Sequence, residues 1–60
     1  MYLENLHGGF NWVDRRDIEQ MTRSELQRYL ELRGMAVYDD ESTTELRECA
    51  LCDYDDELRG

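Results

Sequence analysis

From Met21 onward, apolar side chains recur at helical spacing between polar ones. Leu26, Tyr29 and Leu30 fall on one face, with Leu32 a little off it. Thr22-Arg23-Ser24-Glu25 precedes them as a capping box, in which a hydroxyl and a Glu three residues on satisfy each other's backbone N–H groups. Gly34 stands where a left-handed residue closes a helix, and Met35 follows as the apolar contact that accompanies such a cap. The pattern predicts a helix over about residues 23–33. Ser42-Thr43-Thr44-Glu45 repeats the start signal before Leu46, Cys49 and Ala50, with Leu51 at the margin of that face. Asp53 and Asp55–Glu57 then place negative charge where a helix C-terminus disfavours it, so this second helix is expected to end or fray near Cys52–Tyr54. Between the helices, Met35–Glu41 is apolar first and acidic last, which suits an extended link with Val37 turned into the core.

Residues 1–20 lack a clear period. His7-Gly8-Gly9 is a turn signal. Tyr2, Leu3, Leu6, Phe10, Trp12 and Val13 are too many large apolar residues for a free tail, so residues 1–13 read as an arm packed on the helices. Asp14 is placed to cap a short turn from Arg15 to Gln20, with Ile18 inward. The expected fold class is all-α: two helices joined by an extended loop, with a packed N-terminal arm. Its parts are an arm with a short helical turn over 1–20, the two-helix domain over 21–54 and an acidic tail over 55–60.

Sixty residues make one domain and leave little material to wall a catalytic cleft. Fifteen acids face seven basic residues, all arginine, for a net charge of −8. Residues 1–38 hold five arginines against six acids, and residues 39–60 two against nine. Such a field repels phosphate backbones and anionic membranes and attracts basic surfaces, besides keeping the chain soluble. No run of apolar residues is long enough to span a bilayer. MYLENLHGGF lacks the regions of a signal peptide, so the expected location is cytoplasmic, with reduced thiols.

MTRSELQRYLELRGMAVYDDESTTELRECAL, residues 21–51, resembles the helix–extended-loop–helix group that includes SAP, LEM and Rho N-terminal modules. The matching positions are Met21-Thr22, Glu25-Leu26, Leu30, Arg33-Gly34-Met35 and Glu45-Leu46, and the spacing from Met35 to Leu46 suits the longer-loop, phage-type members. The resemblance implies binding of DNA or RNA, or of a partner protein in the LEM type. The nucleic-acid binders carry basic residues in the loop and at the start of the second helix. Here those positions read Asp39, Asp40, Glu41 and Thr43, so the usual phosphate surface is replaced by acid.

Cys49-x-x-Cys52 offers two zinc ligands where a structural site takes four, and His7 is the chain's one histidine. The favoured reading is Cys49 in the core and Cys52 partly exposed, with a metal shared between two chains as the alternative. No metal, cofactor or catalytic constellation is expected within the chain, and an enzyme is the least supported class.

The first functional expectation is a non-enzymatic module that presents acid to a basic surface of a nucleic-acid-handling protein, as an inhibitor or nucleic-acid mimic. Asp39, Asp40, Glu41, Asp55, Asp56 and Glu57 would carry the charge. Exposed members of Phe10, Trp12, Tyr38 and Tyr54 would anchor the partner. The alternative follows the resemblance, a nucleic-acid-binding module using Arg23, Gln27, Arg28 and Arg33. A third expectation is a homodimer that covers Trp12 and Leu32.

Overall fold

A computed structural model describes residues 1–4 and 10–59, with the backbone alone for Glu4, Phe10 and Asn11. The turn expected at His7-Gly8-Gly9 lies outside the described residues, as does Leu6. The chain is mostly helical. Strands β1 (Tyr2–Glu4) and β2 (Phe10–Trp12) precede helices α1 (Arg15–Gln20), α2 (Arg23–Leu32) and α3 (Thr43–Arg59).

The arm takes the form of an antiparallel strand pair, with Tyr2 opposite Trp12 and Leu3 opposite Asn11. The Val13 N–H extends the pairing by donating to the Met1 carbonyl at 2.6 Å. Val13 is buried, and Met1 and Leu3 pack against the core, so the arm does supply apolar surface that the helices lack. Asp14 starts α1, its N–H donating to Asp17 Oδ2 at 2.8 Å, and Ile18 turns inward as its spacing predicts.

The local signals that start and stop α2 are obeyed. The Glu25 N–H donates to Thr22 Oγ1 and the Thr22 N–H to Glu25 Oε1, at 3.3 and 3.1 Å. At the far end the Met35 N–H reaches the Leu30 carbonyl and the Gly34 N–H the Glu31 carbonyl, the double bond of a Schellman cap. Gly34 adopts φ 85°, a left-handed value that disfavours any residue with a Cβ. Ser42 caps α3 by accepting the Glu45 N–H at 3.1 Å.

α2 and α3 run in the same sense. Arg23, at the start of α2, bonds the turn just before α3, and Arg33, just past the end of α2, bonds Asp53 and Glu57 in the second half of α3. Parallel neighbours need a link that returns along the whole helix, about 15 Å for ten residues. Residues 33–42 provide it, with Met35 and Val37 packed against the core on the way. α1 lies alongside α3 in the opposite sense: Arg15 bonds Asp55, while Arg47 donates to the carbonyls of Ile18 and Met21 and so satisfies the open end of α1. The core between these elements is Val13, Ile18, Met21, Leu26, Tyr29, Leu30, Leu46, Ala50 and Tyr54.

Three expectations change. α3 continues to Arg59 rather than ending near Cys52–Tyr54, and residues 55–59 are helix rather than tail. Three of the four acids that were to oppose its dipole are matched from other elements, Asp53 and Glu57 by Arg33 and Asp55 by Arg15, and Asp56 lies 3.9 Å from Arg59 of α3 itself. Cys49 is exposed, like Cys52. The buried line of α3 is Leu46, Ala50 and Tyr54, each four residues after the last, and Cys49 falls about 100° from its centre.

Candidate functional site

The clearest built feature on the surface is the turn Tyr38–Glu41. Its sequence is acidic, yet its frame is fixed by a cation. The two N–H groups of Arg23 Nη2 are shared among three backbone carbonyls, those of Tyr38, Asp39 and Glu41, at 3.3, 3.3 and 3.1 Å. Nη1 of the same side chain contacts Gln27 Oε1 at 3.5 Å. Within the turn the Glu41 N–H donates to the Tyr38 carbonyl at 3.1 Å, and the Tyr38 N–H to Glu41 Oε1 at 2.8 Å. A guanidinium that binds carbonyls on one side pins the backbone without touching the carboxylates of Asp39 and Asp40. Both of those residues are exposed, and the Tyr38 ring is 66% exposed beside them. The turn therefore presents two carboxylates and one aromatic ring on a backbone whose conformation is already set.

The expected site residues separate in space. Asp39, Asp40, Glu41 and Tyr38 come together in the turn. Asp55 and Glu57 sit near the opposite end of α3 and are engaged: Arg15 Nη1 contacts both Asp55 oxygens at 2.5 and 2.6 Å, and Arg33 Nη2 contacts Glu57 Oε2 at 2.8 Å. Asp56 is exposed and 3.9 Å from Arg59. Tyr54 is not an anchor. Its side chain completes the apolar line of α3 and is 6% exposed. Trp12 is 64% exposed and belongs to the α1 end of the molecule, where its indole N–H donates to Asp14 Oδ1 at 2.7 Å.

The arginines of the alternative reading are occupied within the fold. Arg23 braces the turn. Arg33 Nε donates to Asp53 Oδ2 at 2.8 Å, and these two bonds to carboxylates, Asp53 before Glu57, hold its pKa above the ordinary guanidinium value. The Tyr29 hydroxyl donates to the same Asp53 oxygen at 3.0 Å, and burial first, then this bond, raises its pKa well above the ordinary phenol value. The bond from Arg15 to Asp55 likewise raises the pKa of the Arg15 guanidinium. Arg28 is exposed on α2.

Sequence reasoning missed the brace. Arg23 looked like a phosphate contact because only its exposure and charge were legible. Its partners are carbonyls fifteen or more residues away, which no spacing rule reveals.

A second feature is a cleft of about 580 Å³ between the start of α1 and the end of α3, walled by Asp14, Arg15, Arg16 and Asp17 on one side and by Tyr54, Asp55 and Leu58 on the other. Among the described residues, no three His, Cys, Asp or Glu side chains gather as a metal site, and no helix is long and apolar enough to cross a membrane. No family model, curated protein or solved structure matches the chain.

Proposed function

We propose that this chain is a non-enzymatic protein-interaction module of the helix–extended-loop–helix type, which docks its acidic turn on a basic surface of a nucleic-acid-handling protein. The observation that carries the reading is the division of labour between charges. Arg15, Arg23, Arg33 and Arg47 each bond an element other than their own, so most of the positive charge holds the fold together. Asp39 and Asp40 of the turn, in contrast, are exposed on a braced backbone, with Glu41 half-buried beneath them as part of its frame. A preset turn loses little conformational freedom on binding, and its carboxylates match guanidinium and ammonium groups. Tyr38 is the anchor, since an exposed aromatic at the centre of a charged contact supplies desolvated area. Carboxylates spaced along such a surface can occupy a site built for phosphates, which is how the module would act as an inhibitor or nucleic-acid mimic. The parallel helices and the ten-residue return between them support the helix–extended-loop–helix assignment.

The test is binding to an arginine- and lysine-rich polypeptide, with and without the double change Asp39→Lys and Asp40→Lys. Affinity is expected to fall by about tenfold or more in the variant, and to fall with salt in the native chain. Equal affinity of the two chains, or binding indifferent to salt, removes the reading. Nucleic-acid binding through Arg23, Gln27, Arg28 and Arg33 is the weaker alternative, because two of those guanidiniums would have to leave bonds that hold the fold.

A further inference from the structure

Among the described residues, Tyr2, Trp12 and Leu58 are three of the four exposed large apolar side chains, and strand pairing, one hydrogen bond and a shared cleft connect them through Asp14. Tyr2 and Trp12 are directly opposite in the strand pair, so their side chains share a face, with Cβ atoms about 5 Å apart. They are 56% and 64% exposed. The Trp12 indole N–H is held by Asp14, and Asp14 walls the cleft whose far side includes Leu58, itself 64% exposed. An apolar cluster of this kind on so charged a chain marks a contact surface.

We propose that the Tyr2–Trp12–Asp14 cluster and the adjoining cleft form a second docking surface, separate from the acidic turn, that receives an exposed arginine of a basic protein segment. The inference rests on the reading of a basic partner and adds where and how a guanidinium is recognised. An indole face and a carboxylate fixed beside it are the two groups a planar guanidinium uses best, one for stacking and one for charge-assisted hydrogen bonds. The cleft already holds a guanidinium against a carboxylate, Arg15 on Asp55, while Asp14 holds the Trp12 indole N–H at its rim. A second copy of the chain is disfavoured as occupant, since two chains of charge −8 repel. The two surfaces lie at opposite ends of α3, about 25 Å apart along its seventeen residues. Both can therefore be filled at once only by an extended segment or by two segments.

Trp12 is the chain's only tryptophan, so its fluorescence reports this surface alone. The experiment titrates the full chain with a short arginine peptide and a matched lysine peptide at low salt. It reads Trp12 emission together with the amide shifts of residues 38–41. A saturable Trp12 response is expected, about threefold weaker for the lysine peptide and about fivefold weaker in Asp14→Asn. Asparagine keeps the capping role of Asp14, so the variant is expected to fold, and its unchanged circular dichroism and melting point check this. Shifts at residues 38–41 without a saturable Trp12 response overturn the second surface and leave the acidic turn standing. Equal Trp12 titrations in native chain and Asp14→Asn also overturn it. No response at either place overturns both readings.

Discussion

The Tyr29 hydroxyl and Arg33 Nε converge on one oxygen of Asp53, and Arg33 reaches on to Glu57. This group ties the end of α2 to the second half of α3 in a partly buried setting, where a charged bond is worth more than on the open surface. Arg33→Met is expected to cost about 2 kcal/mol, because it leaves Asp53 without its cation, and chemical denaturation measures it. The pH dependence has a definite sign. The folded chain holds the Tyr29 proton more tightly than the unfolded chain does, so this contribution is complete below the ordinary phenol pKa. It is lost as pH rises past about 10. Melting temperatures at neutral and strongly alkaline pH should therefore differ more in the native chain than in Tyr29→Phe. At this scale the sequence was informative about burial and poor about partners. Leu26, Tyr29 and Leu30 were legible from spacing, and all three are core. Tyr54 was misread as an anchor because the helix was expected to end near it, and Cys49 as core because three- and four-residue spacings from Leu46 both fit an apolar face, and only Tyr54 on the continued helix fixes the line at four.

The elements behave as their start and stop signals dictate. Gly34 closes α2 in a left-handed conformation with open space around it, so Gly34→Ala carries backbone strain alone, about 1 kcal/mol, measurable by thermal unfolding. The acidic turn is a different case. Its conformation depends on Arg23 from another element, and Arg23→Gln is expected to speed amide exchange at Tyr38 and Glu41 while the central amides of α2 and α3 keep their protection. Equal protection at Tyr38 and Glu41 in this variant would show that the turn holds itself. The caps at Thr22 and Ser42, the short helix after Asp14 and the cap at Gly34 were readable because each is a local pattern with its own hydrogen bonds. The end of α3 was not. Its acids lie within a few residues of one another, but the arginines that pair with Asp53, Asp55 and Glu57 are twenty or more residues away.

Across the whole molecule, the uneven charge read from the sequence becomes an arrangement with two ends. The basic residues that link elements act as braces, and the turn before α3 exposes Asp39 and Asp40 on a braced backbone. The composition made the excess of acid plain, but only the structure divides the expected site into the turn at residues 38–41 and the Trp12 surface at the far end of α3. The central claim is that the turn, and not the arginine-bearing helix α2, is the face that binds. An amide-resolved NMR titration of the chain tests it most directly, with duplex nucleic acid in one arm and a basic polypeptide in the other, at low salt. The expected result is salt-sensitive shifts at Tyr38, Asp39, Asp40 and Glu41 with the polypeptide and none with the duplex. Shifts along residues 23–33 with the duplex, reversed by salt, would contradict the account and return the chain to nucleic-acid binding.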